Sequence, residues 1–588
     1  MPQDLEQIDT ESTGGQASSW TPAARRRVLL GLIALLCLLL LVVLPPYLSI
    51  NRYQRRVASA ISGALGRPVH FDNITLHLLP IPGLTIANFV VSENPDFGYE
   101  PVLRANSVEA RLRVSSLWRR RIEVSRISLD SPSINLVRRH DDGRWNLQSI
   151  LMQASQMNSA PTAQARAGDA PRFPYIEATD ARINIKNGDD KLPFSVKEAE
   201  FALWLPEPDQ WRLRMVGKPI RTDTDANDVG PLRVEATLGR AANLQNAPID
   251  LSANWKPTPL GEAAKLTAGY DLGWRGEVSA AATLHGTLGA ARLVTDLHLL
   301  GLHRADYLPA QNAEINAHCE AATDGFLRSL RDVRCAVPTD NSLTVASVID
   351  ALRRLPAPDK NSDLPDATPK PGVLLLRGEV PNVLDWRTAS GSVSLADAPA
   401  DYANTWAKIF LQSIPANSHL GGSFDLSAST DAVEGKRRQW VGSLTCKCVL
   451  PTPAAKAVDK ATVPASNRWT IAVRREATSD LLDAAPQGVS LAAYPTPGGE
   501  KSTDDDAETV PANAPISGQL SRAGYLLRYS SASAVQQAAA VVSALGQGVP
   551  EDADGALVAT GDWFRPPVWT QGVPVEHAPT GRKHRVRR

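Results

Sequence analysis

From Val69 onward the chain keeps returning to one arrangement, an apolar residue at every second position. Strand side chains alternate between two faces, so a period of two dictates a sheet that is greasy on one side and wetted on the other. Val69 and Phe71 alternate with His70 and Asp72, and Ile74, Leu76 and Leu78 alternate with Thr75 and His77. After an interruption at Pro80, Pro82 and Gly83 the rhythm resumes. Val108, Ala110, Leu112 and Val114 share one face, opposite Glu109, Arg111 and Arg113. Such a face must be covered by another sheet, by helices or by something else. Few helical patterns follow, so the expected fold is mainly β. The expectation is an N-terminal transmembrane helix followed by an amphipathic helix and an elongated, curled, groove-like antiparallel sheet, with disordered linkers between its parts.

Composition agrees. Proline (44) and glycine (39) are plentiful and aromatics make up only 6%, a mixture suited to many short strands and turns. Lysine plus arginine equals aspartate plus glutamate, 62 each, so nothing in the overall charge argues for nucleic acid.

Val28–Leu44 is an apolar run without a charge, preceded by Arg25, Arg26 and Arg27. At about 1.5 Å per residue it spans roughly 26 Å, the short end of the transmembrane range. A cleaved signal peptide competes with the anchor, but the leader is long and PPYLSINRY offers no A-x-A cleavage site. The arginine triplet favours a cytoplasmic N-terminus, with Arg52, Arg55 and Arg56 on the far side weakening the rule.

The segments read as follows. Residues 1–24 are a disordered cytoplasmic leader, 25–47 the anchor, and 48–153 a helix plus strands. Ile50, Tyr53, Val57, Ile61 and Leu65 fall at helical spacing, and Gly66 stands where a left-handed cap is wanted. A linker at 154–172 precedes a β-rich, repeat-like region at 173–354, in which Asn187-Gly188 marks a hairpin and separate strands follow it. Further linkers are expected at 355–371, 451–466 and 483–516. Between them lie β-rich residues 372–450 and a strand within 467–482. A C-terminal helix (531–546) and strands occupy 517–566, and 567–588 is a basic tail.

The search for chemistry is mostly negative. No phosphate-binding loop, dinucleotide fingerprint, H-E-x-x-H or G-x-S-x-G occurs, so no catalytic residue, metal site or cofactor is expected. His298 and His303 with Asp296 could form a metal cluster, but alternation assigns them to a wet face or turn. Cys37 lies in the apolar run, leaving four cysteines. Cys319 and Cys335 would close a loop worth roughly 3 kcal/mol if bonded, the alternative being two reduced buried thiols. Cys446 and Cys448 fall on one strand face. Several of the 13 tryptophans, Trp145, Trp204, Trp211, Trp255, Trp274 and Trp563 among them, sit near strand ends. Edge packing and sugar stacking are the two readings of such rings.

The stretch LGRPVHFDNITLHLLPIPGLTIANFVVSENPDF, the strand SVEARLRVSSLWRRRIEVSRISLDSPSINLVRRHDDGRWNLQSIL and the later ARINIKNGDDKLPF resemble, in this order, the N-terminal region of the AsmA family of envelope proteins. The similarity is close over roughly 45–205 and looser to about 345. The resemblance implies a non-enzymatic protein anchored once in a bacterial inner membrane, its bulk in the periplasm, serving outer-membrane integrity. Its larger relatives look like bridge-type lipid carriers. On that reading Val69, Phe71, Ile74, Leu76, Leu78, Leu84, Ile86, Val108, Leu112 and Val114 line an apolar groove for phospholipid chains. On the competing reading the same rows are ordinary core in a scaffold for outer-membrane protein assembly or secretion. Membrane, phospholipid and envelope proteins are the expected partners.

Overall fold

The computed structural model describes residues 22–43, 54–77, 81–113, 124–139, 141–148, 174–207, 210–226, 228–241, 243–309, 313–339, 372–383, 388–410, 419–431, 439–449, 468–475, 489–496, 514–520, 524–530, 557–562 and 568–571. Among these residues 25 strands join into one sheet.

The first half of the sheet comprises β1 (Val69–His70), β2 (Asn73–His77), β3 (Gly83–Val91), β4 (Leu103–Leu112), β5 (Val124–Asp130), β6 (Ser133–Arg138), β7 (Tyr175–Asn187), β8 (Asp190–Glu207), β9 (Gln210–Arg221), β10 (Leu232–Gly239), β11 (Pro248–Pro259) and β12 (Trp274–Thr287). The second half comprises β13 (Ala291–Arg304), β14 (Ala313–Thr323), β15 (Leu330–Pro338), β16 (Val373–Val380), β17 (Ser390–Pro399), β18 (Gly421–Asp431), β19 (Gln439–Val449), β20 (Arg468–Arg475), β21 (Val489–Pro495), β22 (Ile516–Leu520), β23 (Gly524–Tyr529), β24 (Leu557–Asp562) and β25 (Val568–Gln571).

β1 and β2 both pair with β3, and β5 and β6 lie together between β4 and β7, so the strands form 23 rungs. From β7 to β25 each strand pairs antiparallel with the next in sequence, a meander of the kind that short turns impose. Only the pairings of β5 and β6 with β7 are parallel.

The ribbon bends at bulges. The register slips beside Asp180, Glu198, Asp332 and Asp397, and each of these acidic residues has a positive φ near 50°. One extra residue in the left-handed region kinks a strand and sharpens its twist, which is how an open sheet acquires curl.

Four α-helices are described: α1 (Pro22–Val43), α2 (Gln54–Leu65), α3 (Leu260–Ala268) and α4 (Ala400–Phe410). In α1 the described side chains are exposed, Leu29 and Leu32 at 60% each. Among the described residues no helix is long and apolar enough to cross a membrane; Leu44, which closes the apolar run, lies outside them. α2 ends at Gly66, whose φ of +64° is the left-handed cap that its position calls for. Val57, Ala58, Ile61 and Leu65 pack on the first strands, and Gln54 Nε2 donates to the Phe71 carbonyl at 2.6 Å. The helix thereby covers the edge formed by β1 and β2.

The structure departs from the sequence reading in several places. Within the linker expected at 483–516, Val489–Pro495 forms β21, because Leu491 and Ala493 continue the apolar face of β20. The expected tail at 567–588 opens with β25, paired to β24. β8 is one strand of 18 residues where two were expected, its slips absorbed by bulges. α3 and α4 were not foreseen. The linkers 154–172, 355–371 and 451–466, the helix expected at 531–546, and Leu78 and Val114 lie outside the described residues.

Candidate functional site

Cross-strand partners share a face, so the register traces what each face carries. One row runs Ile74, Ile86, Val108, Leu129, Ala178, Phe201, Met215, Val234, Ala253, Ala282, Thr295, Cys319, Cys335, Leu376 and Val393, one residue per rung. From Leu426 a neighbouring row continues through Leu444, Val473, Leu491, Gly518, Leu527 and Ala559 to Trp569. A parallel row, Leu203–Leu213–Ala236–Leu251–Leu284–Leu293, flanks the first. Apart from Thr295 these rows are apolar; the first, followed past Val393 through Ala428 and Gly442, ends at Arg475, and the neighbouring row carries the apolar character onward.

The opposite face is wet. Arg214 and Glu235 pair across β9 and β10 at 3.4 Å, Ser128 donates to Glu177, and Ser427 faces Ser443.

The expected lining residues divide into two groups. Val69, Phe71, Ile74, Ile86 and Val108 are buried in a packed cluster with Phe89, Ala105, Leu129, Ala178, Ala181 and Ala199, roofed by α2. Leu76, Leu84 and Leu112 are half-buried at its margin. From β9 onward the row is different. Leu213, Met215, Val234, Leu251, Ala253 and Leu297 are half-buried. Sequence reasoning identified these strands but did not single out their residues, although the alternation in WRLRMVGKP was the available signal.

Helices and turns close the two margins. α4 follows β17 yet folds back onto β13 and β14, where Ile409 (0% exposed) packs with Leu302, Ala313, Ile315 and Trp406, beside Leu260 of α3. α4 also covers Leu395, Phe424, Cys446 and Cys448. Burial pushes the Tyr402 phenol above its ordinary pKa there, and at the far end of the face it pushes Tyr529 up to about 12.

At the other margin the turns hydrogen-bond to one another. Gly289 N–H donates to the Gln245 carbonyl, Gly325 N–H to Leu288, and Val383 N–H to Arg328. The loop after β6 docks on this stack. Arg138 Nη1 donates to Asn382 Oδ1 at 2.6 Å, and its Nη2 lies 3.5 Å from the Arg328 carbonyl. Burial, with Arg328 adding repulsion, holds the Arg138 guanidinium below its usual pKa.

Cys319 and Cys335 stand directly opposite each other, Cα atoms 4.0 Å apart, and are joined as a disulfide on the apolar face. Cys446 and Cys448 point the same way beneath α4, their sulfurs in contact. The histidines considered as metal ligands are separated: His298 Nε2 pairs with Glu314 at 3.0 Å, His303 Nδ1 with the Gly301 carbonyl, and Asp296 with His318 at 2.6 Å. Among the described residues no group of three or more acidic, histidine or cysteine side chains could hold a metal ion.

A single meandering sheet with one largely apolar face, its margins capped by helices and turns, defines a mainly β protein built on one long antiparallel sheet. Residues 22–199, about the first third of the chain, match the model of the AsmA family. No curated protein and no solved structure matches the chain.

Proposed function

We propose that the protein is a single-pass inner-membrane protein of the bacterial envelope. Its ribbon stands in the periplasm and shelters or transfers phospholipid acyl chains along the apolar face, supporting outer-membrane biogenesis and integrity. The observation that carries this reading is the pair of adjoining rows from β9 to β25, apolar at nearly every rung and only half-buried in the middle. Packing acyl chains against it would contribute about 0.8 kcal/mol per methylene. Twenty-three rungs at ~4.8 Å make a path of roughly 105 Å along the curve. The AsmA-family match is consistent with a lipid-transport or envelope-biogenesis role. Val28–Leu44 is the proposed anchor, and α2 sits at the membrane-proximal end of the sheet. No step calls for a catalytic residue, and the reading is non-enzymatic.

One observation favours the scaffold reading, in which the rows are dry core. The first strands are sealed by α2 and by Ala178, Ala181 and Ala199, so lipid would contact the face beyond β8 rather than at Val69 or Phe71. The test is to purify the full chain in mild detergent and measure bound phospholipid by mass spectrometry. Bound phospholipid that Leu213→Asn and Leu251→Asn reduce supports the groove. A lipid-free preparation that is folded supports the scaffold.

A further inference from the structure

Where the loop after β6 meets the later turns, a cavity of about 430 Å³ remains, inside the range of roughly 300–1,000 Å³ typical of small-molecule sites. We propose that it binds a saccharide, separately from anything held on the apolar face.

Three observations converge. The first is the lining. Trp145 and Phe326 offer aromatic surface, and Gln148, Asn243, Gln245 and Arg328 offer planar polar groups, with no lysine, serine or threonine among the lining residues. A pyranose presents an apolar C–H face to a ring and a rim of hydroxyls to groups that donate and accept in a fixed plane. This lining matches both halves, whereas a purely apolar ligand would leave the amides unpaired.

The second is Gln148, which is only 9% exposed. Its backbone N–H donates to the Trp145 carbonyl, which fixes it at the cavity wall. A side-chain amide bordering a cavity can both donate to and accept from a hydroxyl-rich ligand.

The third is the charge balance. Arg139 and Arg144 are both held by Asp142, and Arg328 by Asp324. Arg138, behind the wall, is committed to Asn382 and the Arg328 carbonyl. With its cations already partnered, the cavity suits a neutral, hydroxyl-rich ligand better than a phosphate. Trp145 thus takes the stacking alternative that its place near a strand end left open.

The test uses the full chain in a zwitterionic detergent lacking a sugar headgroup, titrated with chitotetraose and with maltotetraose by calorimetry. Saturable binding of at least one probe is expected. Trp145→Ala and Gln148→Ala should each weaken it by about tenfold or more, while Trp145→Phe, which keeps a ring, stays within about threefold. Leu251→Asn on the apolar face should leave sugar binding unchanged, so the lipid and saccharide readings can fail independently. Absence of saturable binding by either probe, or binding that both alanine variants retain while folded, overturns the proposal. Tighter binding of inorganic phosphate than of either sugar overturns it as well.

Discussion

Arg138 and Asn382 stand 244 residues apart in the chain and are joined by a 2.6 Å hydrogen bond. That contact ties the end of β6, within the segment that matches the AsmA-family model, to a turn far along the sheet. Hydrogen bonds from charged donors contribute about 1.5–3 kcal/mol, and Arg138→Ala should lose about that much in chemical denaturation. Arg138→Lys keeps the charge without the planar fork and should recover less than half. Amide exchange at Gly325 and Val383 should accelerate in both variants. Unchanged exchange there would mean that the turn stack stands without the docked loop.

Asp142 anchors the same loop. Arg139 first, then Arg144, holds its carboxyl well below the usual carboxylate range. A depressed folded pKa gives a contribution that is complete above the unfolded value of about 3.9 and is lost as pH falls below it. The Arg144 amide, which donates to Asp142 at 3.2 Å, should therefore lose exchange protection only below about pH 4. In Asp142→Asn that pH dependence should vanish. Because the pair is solvent-exposed, the effect should be local, with little change in global stability.

α2 packs on the first strands through Val57, Ala58, Ile61 and Leu65. Ile61→Ala should destabilise the N-terminal strands by about 2 kcal/mol, the low end for large-to-small changes because Ile61 is only half-buried. Limited proteolysis within residues 54–77 should speed up, while the strands after β9 keep their protection.

The Cys319–Cys335 bridge closes a loop of 16 residues in sequence separation. Constraining a loop of that size in the unfolded chain is worth about 3 kcal/mol. Cys319→Ser with Cys335→Ser should lower denaturant stability by that order, and reductant should destabilise the native chain but not the double variant. Equal reductant sensitivity in both would place the redox effect elsewhere, with Cys446 and Cys448 the next pair to replace.

Much of this architecture was legible because alternation is a local property. Ile74, Ile86 and Val108 announced their face, Asn187-Gly188 announced a hairpin, and Gly66 announced the end of α2. The elements that escaped depend on distant partners. ADYANTWAKIF is short for an independent helix, and it is stabilised as α4 by Leu302 and Ala313 on strands far upstream. β21 and β25 are short runs whose strand character comes from the neighbour they pair with. The sequence pattern showed that Val69 and Leu251 share a kind of face, but not that α2 roofs the first and leaves the second half-open. That difference comes from α2, whose Val57, Ala58, Ile61 and Leu65 pack on the first strands alone, a tertiary contact that no periodicity reports.

The most direct measurement places a photo-crosslinking residue at Leu213 or Leu251, and in parallel at Arg212 or Arg214 on the opposite face. Irradiation in cells should yield lipid adducts at the two leucine positions and none at the arginine positions. Adducts to protein alone, or equal lipid capture from both faces, would contradict an acyl-chain groove on this sheet.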